Sequence, residues 1–420
     1  MNDSDDTSSQ ELAEHFFRTE YGKIVSVVTR HLGVNNVETA EDIVQETLLK
    51  ATDHWQQHGI PPNPEGWLYT TARNLTLNII RRKKHRTDFE NHTLNFGEES
   101  EVLEFSEETI KDEQLRMMFA CCHPSISEDT QITLMLKILC GFSIAEIASA
   151  FFTASETINK RLVRGRKQLR QSNVSFDQSG EINELLEVVQ KTIYLLFNEG
   201  YFPNQQNDLF RFDLCLEAIR LTTLLVSDDR IKKKTDSYSL LSLMYLNASR
   251  FEARTSVDGS IVEMSKQDRS KWNKGLIDRG IHYLDLATEG GDVSKYLILA
   301  AISAQHCLAP AFEKTNWVEI LSLYDNLLVL EDSATTRLNR SVALARVEGN
   351  AIAIEELIYV SSKSDLGNQH LYHTTLAELY KEEKNRSKAE EHLNMALKLC
   401  TNDRDRKLIE KKLKQAVPIS

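Results

Sequence analysis

The sequence predicts an all-α protein built from several helical domains. Glycine and proline are scarce, with 16 and 7 among 420 residues, so few residues interrupt helices. Long segments are rich in leucine, alanine, glutamate, lysine and arginine, which have high helix propensity. Apolar residues in these segments recur near helical spacing. A chain of this length is expected to form two to three domains with ample core.

Composition also limits the compartment and the partners. The formal net charge is −12, which argues against indiscriminate coating of DNA and indicates that a partner assists any DNA contact. Six cysteines scattered through a long chain suit reduced, buried thiols better than a disulfide framework. The polar, acidic N-terminus is unlike a signal peptide, and no apolar run reaches membrane-spanning length. We therefore expect a cytoplasmic protein with no membrane association.

The first domain is predicted over residues 11–87, after ten residues that we expect to be disordered. Helical periodicity predicts helices over Glu11–Leu32 and Val37–Trp55. Three prolines then break the chain, and a third helix begins near Glu65. That helix continues into a basic stretch, Trp67–Arg86, which has six lysines and arginines and no acid. Positive charge is therefore concentrated on one segment of an acidic chain.

An acidic segment separates this domain from the next. Residues 88–113 carry ten acids and a single lysine, a composition typical of a solvated linker. We place the linker at 88–110, a second helical domain at 111–172 and a further short linker at 173–180. The remaining region, 181–417, is predicted to be a helical extension.

The second domain carries the pattern of a helix-turn-helix. Ser143 and Glu146 form a capping box that opens a short helix, and Thr153 and Glu156 form another box ten residues later. Two short capped helices with a tight connection are typical of the motif. The apolar contacts between the helices are expected from Ile147, Ala148, Ile158 and Leu162.

The second of these helices, Ser155–Arg170, is basic, with six lysines and arginines and one acid. The N-terminal part of such a helix enters the major groove of DNA, and positions further along face phosphates. The residues placed to reach base edges are Ser155, Glu156, Thr157, Lys160 and Arg161. The residues placed to contact phosphates are Arg164, Arg166, Lys167 and Arg170. With two separated basic helices, the chain can contact two separated stretches of one DNA.

The C-terminal region has repeat character. Tyr372–Leu399 is interpreted as two amphipathic helices joined at Lys384-Asn385, with alanines and tyrosines placed as in a tetratricopeptide repeat. Arg337–Leu357 offers a similar pair with its turn at Gly349-Asn350, and the paired glutamates of the two hairpins lie 35 residues apart. Earlier segments are more degenerate. The alternative interpretation is an irregular helical array that contains one good repeat.

Four short motifs in the first domain form a specific pattern. They are Glu41–Leu48 (EDIVQETL), Trp67–Tyr69 (WLY), Ala72–Asn74 (ARN) and Arg81-Arg82. Together they resemble region two of bacterial sigma factors of the extracytoplasmic-function group, group IV of the sigma-70 family. The helix-turn-helix at 143–170 resembles region four of the same factors, and the order and spacing both agree.

This resemblance implies partners and contact residues. Core RNA polymerase would be bound through its β′ clamp helices by Asp42, Gln45 and Glu46. The minus-ten promoter element would be contacted by Arg73, Asn74, Asn78, Arg81 and Arg82. Region four would read the minus-thirty-five element beside the β flap, and the acidic linker would thread the RNA-exit channel. A basic surface with amide groups also suits the capture of unstacked bases when promoter DNA melts.

Further motifs narrow the resemblance to a subgroup with a C-terminal extension similar to tetratricopeptide repeats. The motifs lie at Phe119–Pro124, Leu162–Arg164, Leu196–Tyr201, Gln267–Trp272 and Leu338–Leu344. The resemblance implies an alternative sigma factor that is not an enzyme and needs no cofactor. We expect the extension to dock on the DNA-reading domains and to set their availability, because a short tether gives it a high effective concentration.

Other interpretations are open from the sequence. A one-component helix-turn-helix regulator with a tetratricopeptide-like sensor is the main rival, although it needs neither a second basic helix nor the face at residues 42–46. An enzyme fits less well, since the extension shows no convergent acid, base or metal set, and a pure scaffold leaves both basic helices unexplained. Cys121, Cys122 and His123 suit buried thiols at a helix end better than a metal site. Trp67 is interpreted as a core residue, with stacking on DNA as the alternative.

Overall fold

Two compact units make up the chain, Met1–Leu196 and Phe197–Ser420. The computed structural model describes residues 3–90, 103–151, 153–171, 179–201, 211–256, 262–363, 365–400 and 403–416. Within these residues every regular element is a helix, which confirms the predicted all-α class. Across the same ranges, none of the helices combines the length and the apolar character that a membrane span requires.

The first unit contains eight helices in its described residues, and the last of them continues past the boundary between the units. They are α1 (Asp3–Leu32), α2 (Val37–His58), α3 (Pro64–Glu90), α4 (Glu107–Cys121), α5 (Glu128–Leu134), α6 (Ile144–Ala150), α7 (Ser155–Gln171) and α8 (Ser179–Tyr201). A π-helical turn at Met135–Leu139 follows α5 directly. The helices expected in the first domain correspond to α1, α2 and α3.

Helix α1 lies at the centre of this unit. Every residue from Glu20 to Thr29 except Lys23 is buried, so this stretch has no solvent-facing side of the kind an amphipathic surface helix shows. Helices α2 and α3 pack against α1, and so do α4 and the π-helical turn. The approach of the turn is close, because a Cβ on Gly22 would lie 1.9 Å from the carbonyl oxygen of Leu139. Only glycine fits at that crossing.

The ends of three helices differ from the sequence-based expectations. The expected disorder of residues 1–10 is wrong for residues 3–10, because α1 begins at Asp3. Helix α3 continues to Glu90 and α4 begins at Glu107, so helices cover both ends of the acidic stretch. Residues 91–102 of that stretch lie outside the described residues.

The helix-turn-helix consists of α6 and α7. The first capping box is confirmed, since Glu146 N donates to Ser143 Oγ at 3.1 Å and Ser143 N donates to Glu146 Oε2 at 2.7 Å. The second predicted box is wrong. Helix α7 begins only at Ser155, and the amide of Thr157 donates to the carbonyl of Ala154 at 2.9 Å. The residue before the helix is therefore Ala154, whereas the predicted box requires Thr153 at that position. The Glu156 carboxylate instead pairs with the Lys160 ammonium at 2.8 Å.

Helix α8 begins at Ser179, close to the start of the predicted extension. Residues 172–178, which include most of the linker predicted before it, lie outside the described residues. The Lys191 ammonium lies 2.5 Å from the Glu128 carboxylate, and Thr192 Oγ1 donates to Gln131 Oε1 at 3.2 Å. Both partners belong to the helix-turn-helix side of the first unit. The extension therefore starts with a helix that contacts α5 through these two side chains.

The second unit continues with helices of mostly moderate length. In the described residues they are α9 (Phe212–Ser227), α10 (Thr235–Ala248), α11 (Phe251–Arg254), α12 (Lys274–Glu289), α13 (Lys295–Leu308), α14 (Trp317–Leu330), α15 (Ala334–Val347), α16 (Asn350–Ser361), α17 (His370–Glu382), α18 (Arg386–Leu399) and α19 (Asp403–Ala416). Successive helices from α12 to α19 pack on one another, as expected for an array of helical hairpins.

Both predicted hairpins are confirmed. Helices α15 and α16 turn at Gly349, whose φ of 102° favours glycine. Helices α17 and α18 turn at Lys384, with φ of 60°, and Asn385 Oδ1 caps α18 by accepting from Lys388 N at 3.2 Å. The small and aromatic residues of the predicted repeat are all buried: Tyr372, Ala377, Tyr380, Ala389 and Ala396.

Candidate nucleic-acid interface

Helix α7 has one buried and one exposed face. Ile158, Leu162 and Leu169 are almost fully buried, and Ile147 and Ala148 of α6 are buried with them, as predicted. Gly165 lets α7 approach α5, since a Cβ there would lie 2.7 Å from Thr130 Cγ2. The opposite face presents Ser155, Glu156, Lys160, Arg164 and Lys167 to solvent.

The residues predicted to reach base edges differ in their exposure to solvent. Ser155, Glu156 and Lys160 are exposed, whereas Thr157 is half-buried. The Arg161 guanidinium lies 2.9 Å from the Asp129 carboxylate on α5, with 26 % of its side chain exposed. An exposed pair such as Glu156–Lys160 contributes little and exchanges readily for other partners. The N-terminal part of α7 is therefore open for contact, with Lys160 its most accessible cation.

The residues predicted to face phosphates fall into two groups. Arg164 and Lys167 are exposed. Arg166 instead lies against α2, where its Nη2 is 2.5 Å from Glu41 Oε2, and Arg170 pairs with Glu38. Sequence analysis did not anticipate these pairs, because the partners are more than a hundred residues apart and no local pattern connects them.

A second basic face lies on α3. Leu68, Ala72 and Thr76 recur at helical spacing and are fully buried, which directs the other side of the helix outward. The residues predicted for the minus-ten element are all exposed: Arg73, Asn74, Asn78, Arg81 and Arg82. This face combines cations with side-chain amides, the groups that bind a nucleic-acid backbone and base edges.

Trp67, at the start of α3, is half-buried. Its ring lies edge-on to Trp55 with centroids 5.9 Å apart, and the Trp55 ring stacks on Phe17 at 5.5 Å. Trp67 is therefore only partly a core residue: one side of its ring packs in an aromatic cluster, and the rest is open to solvent. The same cluster fixes the entry of α3 against α1 and α2.

An acidic face on α2 includes an apolar residue that sequence analysis missed. Asp42, Gln45 and Glu46 are exposed, and Leu49 on the same face is 63 % exposed. The opposite side of α2 is buried through Val37, Ala40, Ile43, Val44, Thr47 and Ala51. The spacing of 42, 45, 46 and 49 is the signal that could have identified Leu49. A large apolar side chain within a polar rim is typical of a protein-binding surface.

The cysteine-histidine motif lies at the C-terminal end of α4. Cys121 and Cys122 are buried, as predicted, and burial raises the pKa of the Cys122 thiol to about 12. Cys122 Sγ lies 3.4 Å from Met135 Sδ, and His123 Nδ1 lies 2.7 Å from Ser125 Oγ. Among the described residues there is no group of three or more side chains placed to hold a metal ion.

Family models match three parts of the chain. Residues 16–86 match sigma-70 region 2, and residues 116–169 match sigma-70 region 4. Residues 185–288 match a family of unknown function, DUF6596. The first two matches lie within the domains predicted at 11–87 and 111–172, and they contain the two basic faces.

Similar proteins fall into long and short relatives. The chain is 30 % identical to an uncharacterized protein of Rhizobium meliloti over 87 % of this chain and 87 % of that protein. It is 26 % identical to the RNA polymerase sigma factor YlaC of Bacillus subtilis, over 38 % of this chain and 90 % of that protein. It is 29 % identical to the ECF RNA polymerase sigma factor SigL of Mycobacterium tuberculosis, over 31 % of this chain and 72 % of that protein.

Two exposed lysines on α7 should affect DNA binding differently. We expect Lys160→Ala, near the N-terminus of the helix, to change the preference at particular bases by about 1–3 kcal/mol. We expect Lys167→Ala, two turns further along, to weaken all sequences alike and to lower the salt slope of binding by about one. Affinities for a library of promoter duplexes measure both effects. The reverse assignment would mean that α7 docks on DNA in another orientation.

Proposed function

The chain belongs to the sigma-70 family, in its extracytoplasmic-function group, and we propose that it is an alternative sigma factor. It binds core RNA polymerase, recognises the minus-thirty-five and minus-ten promoter elements, melts the latter and directs transcription initiation. Its role is recognition and DNA opening, with no catalysis of its own. The observation that carries this proposal is the presence of two outward basic faces, on α3 and α7, within the matches to regions two and four.

The contact with polymerase is assigned to α2. Asp42, Gln45, Glu46 and the exposed Leu49 form one face that a protein partner can cover. We assign this face to the clamp of the β′ subunit and region four to the β flap, by the resemblance of the motif. A chain with net charge −12 repels DNA at long range. Tight promoter binding is therefore expected only together with polymerase. Because polymerase and promoter DNA are its proposed partners, we propose that the protein acts in the cytoplasm.

Reversing the charge of the α2 face should abolish polymerase binding. The change is Asp42→Lys with Glu46→Lys, and the helix should persist because both side chains are exposed. The measurement is affinity for core polymerase, with circular dichroism to follow folding. A matched control is Asp285→Lys with Glu289→Lys, two exposed acids at the same spacing on α12. Full affinity in the α2 variant would remove this face from the polymerase interface.

Transcription in vitro tests the function as a whole. Purified core polymerase with the full chain should initiate at specific promoters, whereas core polymerase alone should not. Asn74→Ala with Asn78→Ala should reduce permanganate reactivity of the minus-ten region more than it reduces closed-complex binding. A protein that binds the same promoters tightly without polymerase, and starts no transcripts with it, would be the rival one-component regulator.

The C-terminal extension is assigned a regulatory role. It is larger than the two DNA-reading regions together, and arrays of helical hairpins present broad surfaces suited to protein contacts. Its first helix, α8, is tied to α5 through Lys191 and Thr192. We propose that the extension docks on the DNA-reading regions and sets their availability, as its short tether favours.

Two truncations test the regulatory role. The first ends after Gln178 and removes α8; the second ends after Tyr201 and keeps it. Both should change transcription strongly while the preference for promoter sequence stays the same. If both transcribe the same promoters at the level of the full chain, the extension is not regulatory. If only the shorter protein differs, the effect belongs to α8 and its contact with α5.

A further inference from the structure

The DNA-facing helix α7 and the polymerase-facing helix α2 are joined by ion pairs. Arg166 Nη2 lies 2.5 Å from Glu41 Oε2, and its Nη1 lies 3.8 Å from Glu38 Oε1. Arg170 pairs with the other oxygen of Glu38. Both arginines belong to the set that the sequence assigns to phosphate contact. In this arrangement the two arginines donate to carboxylates of α2.

The ion pair between Glu41 and Arg166 is largely buried, unlike the many surface ion pairs of the chain. The side chains of Glu41 and Arg166 are 4 % and 15 % exposed. Tyr21 Oη also donates to Glu41 Oε1, at 3.3 Å. Burial raises the pKa of the Glu41 carboxyl, and the charges of Arg166 and Lys137 beside it oppose that rise. A buried carboxylate of this kind is costly without its partner, so removing Arg166 would leave Glu41 destabilising.

The same two regions are held together along α1. Arg18 Nη2 lies 2.6 Å from Glu146 Oε1, the acid of the capping box that opens α6. The Arg18 guanidinium also lies over the Phe142 ring at 4.4 Å. Arg30 Nη1 lies 2.7 Å from Glu113 Oε1 on α4. The ion pairs of α7 are thus part of a packed interface between region two and region four.

We propose that this is a closed state in which Glu38 and Glu41 compete with DNA phosphates for Arg166 and Arg170. The inference rests on the proposed function, since it takes α7 as the helix that reads promoter DNA. In this arrangement Arg166 and Arg170 donate to the carboxylates of α2, so α7 reaches its full set of phosphates only after these arginines leave α2. Glu38 and Glu41 lie on the helix that carries Asp42 and Glu46. A partner bound at that face therefore sits beside the closing contact.

The test is DNA binding by the full chain without polymerase. The probe is a short duplex of mixed sequence, and its affinity is measured by fluorescence anisotropy over a range of salt concentrations. Each freed arginine adds a phosphate contact, and each contact steepens the plot of log affinity against log salt by about 0.9. Glu38→Gln, at a half-exposed residue, should raise affinity and steepen the slope by about 0.9. Glu38→Gln with Glu41→Gln should steepen it by about 1.8.

A matched control removes two acids that pair with no arginine among the described residues. Asp53→Asn with Glu65→Gln changes two exposed residues of α2 and α3. This control has the same net charge as the double variant, so it reports the general effect of charge on affinity. Circular dichroism checks that each variant is folded. If the buried change at Glu41 unfolds the chain, the salt slope of the Glu38→Gln variant alone still tests the proposal.

The salt slopes of the variants and the control distinguish a closed state from its absence. Steeper slopes in the Glu38 and Glu41 variants than in the control support the closed state. Slopes and affinities equal to those of the control overturn it, and so does an absence of duplex binding by the folded double variant. Transcription with core polymerase is read separately. If the unaltered chain directs initiation but the slopes do not change, the proposed function stands and the closed state is wrong.

Discussion

The first unit depends on the burial of one helix from all sides. Between Glu20 and Thr29, α1 leaves only Lys23 partly open, so a single layer of neighbours cannot cover it. Helices α2 and α3 supply one set of contacts, and α4 with the π-helical turn supplies another. Each fully buried valine or isoleucine contributes about 1.5–3 kcal/mol relative to an exposed one. Region two and region four therefore share a core, although each matches its own family model.

Much of the local structure could be predicted from the sequence, because its causes are local. The capping box at Ser143 and Glu146, the helical hairpin that turns at Lys384 and the buried face of α7 all arise from residues a few positions apart. The second capping box failed for a local reason as well. Ala154 takes the cap position, so Thr153 and Glu156 lose the spacing that the motif requires.

The contacts that could not be predicted join residues far apart in sequence. Nothing near Arg166 marks it as the partner of Glu41, and a basic helix facing solvent has the same local pattern. Periodicity predicted helix α1, but it identifies one apolar face and cannot report that the polar residues Glu20, Ser26 and Thr29 are buried too. The exposure of Leu49 follows from its spacing along α2. That Leu49 belongs to a protein-binding surface follows only when the acidic residues on the same face are considered with it.

Burial of Cys121 and Cys122 determines how readily these two thiols react with oxidants. Peroxides react with the thiolate form of cysteine, and an accessible thiolate is needed for that reaction. Burial raises the pKa of both Cys121 and Cys122 and also removes them from solvent. Two neighbouring cysteines in region four therefore do not form a redox switch while the fold is intact. An oxidative signal therefore reaches Cys121 and Cys122 only if the core around them first unfolds.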